Sequence, residues 1–535
     1  MGVKKIMDTF FASMQEQSMA GYGGRLVNTP MGPFRWNDTM QLWENVNNGM
    51  VMNNISFQDS IMMLDYASYD GGSPPITTIT PFTPGNTSYI LYIDFAGSTL
   101  GGQFLVLRSS PATYFDSNGY VLGVTGNTPR YNTYSVFPQG LVVEQTEGNF
   151  LRYTETFDTS VLDPYARWQV VNSTRNVDSS TMNPGNTTGA VFITCSSQQF
   201  VSGVRSIMVS AGITANDYFS FSAWVKAKTS TSATLYVLGS NSPAFSNQIP
   251  IPAKVKILSG PGTVIESAGG ETHWKGVTGL STSEWTRIQW NPYYRLMDSY
   301  TSPGYGGVTL EAVAANIYIG FYDGLGQRGV NTGDSIYIWG AQFERSPYTT
   351  TYIDAPGPNL ATRQADNVYQ QSGLTSWFAG ASGTFALEFS VPQDISGNTN
   401  SQILLSTSNL SRRKLFVGFT SSNQNIIFGS ETRTVNVPGM AQNNKLAFAY
   451  IRGTNAGITA SLNGGLTFFR VGNIANLGTG VTGDWLTIGC CAGESSLFPG
   501  TIDTASFTNH MNGTVKSIKY WNRVLSDSDL QAETD

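Results

Sequence analysis

Alternating apolar and polar residues recur along most of this chain. Residues 218–227 (YFSFSAWVKA) alternate throughout, and the same pattern recurs at 336–344 (IYIWGAQFE), 383–391 (GTFALEFSV) and 445–452 (KLAFAYIR). Successive side chains of a strand point to opposite faces, so alternation predicts strands with one face in a core and the other toward solvent or a partner. With 12% charged residues and 57 glycines, the composition suits a β protein with many turns. We therefore predict a mainly β chain of tandem antiparallel β-sandwiches.

The length of 535 residues predicts about three or four domains. Two stretches rich in Gly, Pro, Ser or Thr read as linkers, at 70–84 (DGGSPPITTITPFTP) and 356–365 (PGPNLATRQA). We predict four units, which are an N-terminal arm with its linker at 1–84, a small β domain at 85–148, a sandwich at 149–355 and a second sandwich at 356–535.

Charge and cysteine usage exclude several partners. A net charge of −6 gives no basic surface for nucleic acid. No apolar run approaches the roughly 20 residues of a membrane helix, and the first 14 residues lack the apolar core of a signal peptide. Cys490 and Cys491 are adjacent and Cys195 stands alone, so we expect no disulfide framework and maturation in a reducing cytoplasm.

Catalytic signatures are sparse. His273 and His510 are the only histidines, and no H-E-x-x-H, G-x-x-x-x-G-K-[ST] or G-x-S-x-G motif occurs. We expect no catalytic residue, no metal and no cofactor, and therefore a protein that is not an enzyme. The alternative is glycoside hydrolysis by two carboxylates from distant strands, and the acids considered for it are Glu266, Glu271, Glu311 and Asp323.

The segment 273–305 concentrates aromatic residues in a stretch of largely loop composition. Sugar rings stack their apolar C–H faces on aromatic planes, and their hydroxyl groups need amide or charged partners nearby. The predicted glycan-binding residues are Trp274, Trp285, Trp290, Tyr293, Tyr294, Asn291 and Arg295. The alternative is aromatic packing against the sandwich or a sister subunit, and we expect the mid-strand Trp224 and Trp339 to be core.

The N-terminal arm is rich in methionine and aromatic side chains, which are adaptable interface formers. Residues 3–19 predict a short amphipathic helix, 31–36 (MGPFRW) an extended stretch, and 56–66 a second helix. We hypothesise that the arm docks onto neighbouring subunits of an assembly, and the alternative is that it packs on its own chain. The predicted anchoring residues are Phe10, Phe11, Pro33, Phe34, Trp36 and Trp43.

Residues 107–158 hold three local signals. Asp116-Ser117-Asn118-Gly119 predicts a hairpin turn, because Asn and Gly tolerate positive φ. Thr128-Pro129-Arg130 forces an extended approach, since the residue before a proline is pushed out of the α region. Residues 141–143 (LVV) predict a buried strand that leads to Asn149.

This segment resembles a signature of tailed-phage virion proteins, TYxDSxG…TPR…GLLIEExxxNLL-YSExF, and departs from it at Gly148, where a basic residue is usual. The matching residues are Tyr114, Asp116, Gly119, Thr128, Pro129, Arg130, Gly140, Leu141, Glu144, Asn149, Leu151, Tyr153, Glu155 and Phe157. The resemblance implies a carbohydrate-binding-like jelly roll at 149–355 and a concanavalin-like, laminin-G-type sandwich at 356–535. Residues 520–526 (YWNRVLS) stand where such sandwiches close, with Ser526 as N-cap of a short helix.

The same resemblance implies a virion structural protein of the tail-fibre, baseplate or capsid-surface type, assembled in the host cytoplasm. Its implied partners are other virion proteins, through the N-terminal arm, and host-surface glycan, with a homo-oligomer in the particle. The displayed sandwiches would serve glycan adhesion or particle stabilisation. The rival interpretation is a glycan-degrading tail spike.

Overall fold

A computed structural model of the chain confirms a mainly β protein of tandem antiparallel sandwiches. Within the part that it describes, one helix, Asp527–Thr534 (α1), ends the chain. The described residues are 26–29, 32–37, 42–45, 51–53, 91–95, 104–135, 138–160, 168–197, 202–209, 218–240, 248–250, 253–266, 275–292, 300–302, 308–310, 314–321, 331–370, 382–391, 402–409, 412–419, 425–428, 431–436, 443–451, 457–467, 485–490 and 510–535.

The N-terminal arm contains an antiparallel meander whose strands pair in chain order. Its strands are β1 (Leu26–Thr29), β2 (Gly32–Asn37), β3 (Leu42–Asn45) and β4 (Val51–Asn53). The extended stretch predicted at 31–36 is confirmed by β2, whose backbone register pairs Trp36 with Trp43. The helices predicted at 3–19 and 56–66, the linker at 70–84, and Phe10 and Phe11 lie outside the described residues.

Short strands fill the next described part of the chain. They are β5 (Leu91–Asp94), β6 (Phe104–Leu107), β7 (Ala112–Phe115), β8 (Val121–Val124), β9 (Tyr131–Asn132), β10 (Gly140–Val143) and β11 (Glu147–Asn149).

A two-sheet sandwich follows, built around a continuous apolar core. Its strands are β12 (Trp168–Val171), β13 (Ser173–Met182), β14 (Thr188–Cys195), β15 (Gly203–Val209), β16 (Ser220–Ala227), β17 (Thr234–Ser240), β18 (Gln248–Pro250), β19 (Ala253–Ser259), β20 (Thr263–Glu266), β21 (Lys275–Thr278), β22 (Thr286–Pro292), β23 (Tyr300–Ser302), β24 (Val308–Leu310), β25 (Ala314–Gly320) and β26 (Ser335–Glu344). The five-stranded sheet has the order β12-β15-β25-β17-β18 and the six-stranded sheet the order β13-β14-β26-β16-β22-β19. We call this unit the inserted sandwich.

The remaining strands lead to the closing helix. They are β27 (Ala361–Arg363), β28 (Asn367–Gln370), β29 (Ser382–Ser390), β30 (Gln402–Asn409), β31 (Arg412–Phe419), β32 (Asn425–Phe428), β33 (Glu431–Asn436), β34 (Asn443–Ile451), β35 (Gly457–Leu462), β36 (Gly465–Thr467), β37 (Trp485–Ile488) and β38 (Gly513–Trp521). Ser526 caps α1, as predicted, and accepts a hydrogen bond from the Asp529 N–H in a capping box.

Two large sheets of the C-terminal region contain strands from before the inserted sandwich. β5 and β10 pair with β38, β9 pairs with β10, and β6 pairs with β28. The prediction of a separate small domain at 85–148 is therefore wrong, because four of its strands, β5, β6, β9 and β10, are members of these sheets. The reason is apolar burial, since the side chains that enter the shared core are Phe95, Phe104, Val106, Leu141 and Val143. We call this discontinuous unit the split sandwich.

The chain leaves the split sandwich and returns to it through one ribbon. β11 pairs with β27, which places Glu147 opposite Arg363 and Asn149 opposite Ala361. The stretch 356–365, predicted as a linker, thus contains a paired strand. The inserted sandwich is a loop insertion between β11 and β27, and we call this ribbon, with the side chains packed on it, the neck.

Candidate functional site

The hairpin of the virion-like signature covers one face of the inserted sandwich. β7 and β8 pair around the predicted turn, where Asp116 Oδ1 accepts from the N–H groups of Asn118 (3.0 Å) and Tyr120 (2.8 Å). Phe115 of this hairpin lies 6.3 Å, between ring centroids, from Trp224 on the outer face of the six-stranded sheet. The hairpin is therefore an interface element that seals the sheet.

Trp224 and Trp339 are buried as predicted, and they lie beneath this hairpin rather than between the two sheets. Their rings meet edge to face at 5.2 Å, and Tyr352 packs against both. The Thr113 hydroxyl donates to the Tyr352 carbonyl at 2.5 Å, which ties the hairpin to the end of the inserted sandwich.

Charged side chains meet at the neck without access to solvent. Arg130 donates to Asp366, to Glu144 at 2.9 Å and to the Thr351 hydroxyl at 2.6 Å. Arg108 donates to the other oxygen of Asp366 at 2.6 Å. Arg130 and Glu144 belong to the virion-like signature, whereas Thr351 comes from the end of the inserted sandwich and Asp366 from the returning chain, so the network joins all three segments.

Arg363 completes this network on the ribbon itself, 3.2 Å from Glu144. Burial alone would raise the pKa of Glu144, but Arg363 and Arg130 outweigh it and lower that pKa to about 2. The pKa of Glu147 shifts in the opposite direction. Burial and, to a lesser extent, the neighbouring Glu344 raise it to about 8. The neck therefore holds an ionised carboxylate, Glu144, beside Glu147, which retains its proton at neutral pH.

Asn149 of the signature marks the point where the chain enters the inserted sandwich. Its amide nitrogen donates to the carbonyls of Ala341 (3.1 Å) and Ile353 (3.0 Å). Its amide oxygen accepts from the N–H groups of Leu151 and Phe343, both at 3.1 Å. All four contacts lie within the protein, so this residue fixes the entering and leaving chain to the sandwich.

The predicted glycan-binding residues do not form one cluster in the described structure. Trp290 is 1% exposed and packs in the core of the inserted sandwich, so its assignment as a sugar platform is wrong. Asn291, one residue along β22, points to the opposite face and donates to the Pro347 carbonyl at 2.6 Å. Trp285 is half-buried on that outer face. Outside the described residues lie Trp274, Tyr293, Tyr294 and Arg295.

Trp285 ends a row of alternating rings and ammonium groups across four strands. The Lys226 Nζ lies 5.3 Å from the Trp285 centroid and 5.1 Å from that of Tyr337. The Lys228 Nζ lies 4.8 Å from Tyr337 and 4.4 Å from Phe192. We call this row the ladder, and its members in order are Phe192, Lys228, Tyr337, Lys226 and Trp285. The distances from its ammonium groups to the ring centroids are those of cation–π contacts.

One acid borders the ladder. Tyr337 donates its hydroxyl proton to Asp178 Oδ2 at 2.6 Å and accepts from the Lys228 ammonium at 2.8 Å. Hydrogen bonds from Ser180 and then Tyr337 lower the pKa of Asp178, so this carboxylate stays ionised. Burial lowers the pKa of Lys226, and Asp178 opposes that effect.

The outer face of the five-stranded sheet carries a second polar and aromatic row. Strand register aligns Gln169, Arg205, Tyr318 and Tyr236 across four strands. Arg205 donates to the Gln169 amide oxygen at 2.9 Å, and the two tyrosine rings stack at 4.5 Å. The ring pair is buried, so the groups of this row that reach solvent are Gln169 and Arg205.

Of the four acids considered for hydrolysis, the structure describes one, and only its backbone. Glu266 ends β20, and Glu271, Glu311 and Asp323 lie outside the described residues. Among residues that the structure describes, no group of three or more His, Cys, Asp or Glu side chains is arranged to hold a metal ion. No helix in that part of the chain is long and apolar enough to cross a membrane.

Sequence reasoning missed the lysines of the ladder. The available signal was a charged residue inside an alternating strand, because Lys226 occupies an outward position of YFSFSAWVKA next to aromatic strands. Alternation shows that such a lysine shares a face with aromatic residues only once the strand order is known.

Comparison with known proteins assigns this chain to no family. No protein-family model matches the chain, and no curated protein matches it. A Trypanosoma rangeli sialidase is 14% identical over 31% of this chain and 25% of its own, about a quarter of its length, with a TM-score of 0.21. The CBM22-1 xylan-binding domain of a Paenibacillus barcinonensis protein is 9% identical over 37% of this chain and 90% of its own, with a TM-score of 0.21. The CBM22 tandem of that protein is 9% identical over 71% and 99%, with a TM-score of 0.23. At these values, neither the fold nor the function of this chain follows from the matches.

Proposed function

We propose that this chain is a structural component of a tailed-phage virion that displays its inserted sandwich for glycan adhesion. The observation that carries the proposal is the neck. Arg130, Glu144 and Asn149, which the chain shares with the virion-like signature, all hold the two sandwiches together there. Because these signature residues join the two sandwiches, the signature supports a structural role for the chain better than a catalytic one.

The neck suits display because it fixes an orientation. A single-ribbon connection without side-chain contacts would let the inserted sandwich swing. Buried ion pairs need defined geometry to offset the loss of hydration, so they favour one relative placement of their partners. The inserted sandwich would thus present its outer faces in a constant direction from the particle.

Trp285 supports the glycan part of the proposal. Half-buried on the outer face, it offers apolar ring surface beside a lysine, a combination that suits a sugar ring and its polar substituents. Trp285→Ala should reduce retention of the purified protein on host-surface polysaccharide at least tenfold, while Leu360→Ala, at an exposed apolar control position, should not. Equal retention of both variants would remove Trp285 from the site.

The N-terminal arm is proposed as the anchor to other virion subunits, in a homo-oligomer. Pro33, Phe34, Trp36 and Trp43 lie on neighbouring strands of the meander, whose backbone could pair with or pack on a partner. Deleting residues 1–75 should leave a folded protein that no longer enters particles. Normal incorporation of the truncated chain would contradict the anchoring role.

One incubation separates adhesion from degradation. Purified full-length protein is mixed with host-surface polysaccharide, and both the bound fraction and the chain length of the polysaccharide are measured. Retention without shortening is the expected result. Shortened chains would replace this proposal with a glycan-degrading tail spike, and absence of both would leave a spacer role in the particle.

A further inference from the structure

Lys226 is a buried cation with an unusual set of neighbours. The residue is 8% exposed, and its ammonium contacts only the rings of Trp285 and Tyr337. No described residue offers it a carboxylate, carbonyl or hydroxyl oxygen within hydrogen-bonding distance. An ammonium group has three N–H donors, and the Lys226 nitrogen is not among the sealed polar atoms of the described residues, so these donors face solvent and are open to a ligand.

Lys228, the other lysine of the ladder, has the oxygen partners that Lys226 lacks. Lys228 donates to the Tyr337 hydroxyl at 2.8 Å and lies 3.5 Å from Asp178. Asp178 also accepts the proton of the Tyr337 hydroxyl, so Lys228, Tyr337 and Asp178 form a closed group. The ladder therefore holds two cations and one adjacent anion, and Lys226 is the cation left without an oxygen ligand.

The edge of the ladder is open. Trp285 is half-buried, and the side chains of Lys228 and Asp178 are 32% and 19% exposed. The Trp285 indole N–H donates to the Met182 carbonyl at 3.0 Å, which holds the ring in place beside the Lys226 ammonium. A ligand can therefore meet a fixed aromatic surface and an unused cation side by side.

We propose that Lys226 binds the carboxylate of an acidic sugar residue whose ring lies against Trp285. This inference rests on the glycan adhesion proposed above and names its ligand class. The carboxylate would accept the N–H donors that Lys226 leaves unused, and the apolar C–H face of the sugar would pack on the indole.

Charge and donor geometry favour this ligand over other anions. Lys226, Lys228 and Asp178 together carry a net charge of +1, which matches the single negative charge of one carboxylate. A group with two or more negative charges would exceed this charge and would be repelled more strongly by Asp178. Phosphate and sulfate sites draw on forked guanidinium groups or clustered backbone N–H groups, and the ladder offers neither. A free inorganic anion would also leave the Trp285 surface unused.

The test uses the full-length protein and two probes that differ only in charge. Oligogalacturonate carries one carboxylate per sugar, and its fully methyl-esterified form carries none. Calorimetric titration should show binding of the acid form at least tenfold tighter than of the ester. Lys226→Met keeps the length of the side chain and should lower the affinity for the acid form at least tenfold. Lys226→Arg, which retains the charge, should restore part of it.

Lys256→Met is the matched control, because it removes the same charge from β19, which lies two strands from β16 in the same sheet. Its affinity for the acid form should stay within twofold of the unmodified chain. Thermal unfolding of each variant checks that the fold is intact. Equal binding of the acid and ester forms, an unchanged Lys226→Met affinity, or complete displacement by inorganic sulfate at equal concentration would each overturn the proposal.

Failure of this inference is distinguishable from failure of glycan adhesion. A protein that is retained on host polysaccharide but binds neither probe would keep the proposed function and lose the acidic-sugar assignment. A protein that binds neither the host polysaccharide nor either probe would lose both.

Discussion

The neck and the ladder place similar cations in opposite situations. At the neck, Arg108, Arg130 and Arg363 each lie against a carboxylate, and the pairs are sealed from water. In the ladder, Lys226 is nearly as buried but contacts only aromatic rings. A buried charge with internal partners therefore fixes architecture, whereas a cation without oxygen partners is available to a ligand.

The neck also shows why buried ion pairs are poor evidence of stability. Their attraction roughly repays the loss of hydration, so an intact network adds little net free energy, but removal of one member leaves the others uncompensated. We therefore interpret the neck as a device that specifies how the two sandwiches meet. The ladder has no such role, because no carboxylate depends on Lys226.

The largest expected effect follows from breaking the neck. Arg130→Met leaves Asp366 and Glu144 buried with one cationic partner fewer each, which should lower the free energy of unfolding by roughly 3–5 kcal/mol. Urea denaturation followed by tryptophan fluorescence measures it. Arg175→Met, at a half-buried arginine that donates to the Thr156 carbonyl, is the control and should cost less than about 1 kcal/mol. An Arg130→Met cost as small as that of the control would show that the network is dispensable.

The free energy of unfolding should depend on pH through Glu147 at the neck. The pKa of Glu147 is raised from 4.5 to about 8, so between these values the folded chain binds more protons than the unfolded chain. By linkage, this acid makes stability fall as pH rises toward about 8. His510, whose pKa burial lowers to about 4, acts in the opposite direction only below about pH 6.5. Unfolding is therefore best compared between pH 7 and pH 8.5.

Glu147→Gln removes the titrating group and should flatten that pH dependence. The neighbouring acid Glu344 remains in this variant, and burial still raises its pKa. An unchanged slope of stability against pH in Glu147→Gln would show that the acid pair does not titrate in this range.

The smallest expected change in stability is at the ladder. Lys226→Met removes two cation–π contacts but orphans no hydrogen-bonding group, so unfolding free energy should change by about 1 kcal/mol or less. Urea denaturation beside Arg130→Met gives the comparison directly. A loss as large as that of Arg130→Met would place Lys226 among the structural charges and contradict the contrast between the two regions.

Local chemistry made parts of the fold predictable. Gly119 takes a positive φ in the predicted hairpin turn, Asp116 accepts a backbone hydrogen bond there, and Ser526 caps the helix that the acids after it indicate. Alternation also predicted one buried face for each long strand, but β16 and β26 are buried on both faces. These signals act within a few residues, so the sequence contains them completely.

Long-range pairing was not predictable in the same way. Leu141 pairs with Val515, and Val106 with Val368, across separations at which no local pattern favours one partner over another. The orientation of Trp290 was missed because alternation assigns two faces without saying which one meets the second sheet. The charges of the neck were not predictable for a related reason, since Arg130 and Asp366 are 236 residues apart in the sequence and come together only in the folded chain.

We interpret the split sandwich as one folding unit interrupted by an insertion, and two fragments test this interpretation. The first fragment consists of residues 91–535 with residues 150–360 replaced by a short Gly/Ser loop. Because Asn149 and Ala361 pair in the ribbon, they are close enough for such a hairpin connection. We expect this chain to unfold cooperatively in urea, whereas residues 356–535 alone should not, because they lack β5, β6 and β10 and the apolar side chains these bring to the core. Cooperative unfolding of 356–535 alone, with stability equal to that of the first fragment, would contradict the claim.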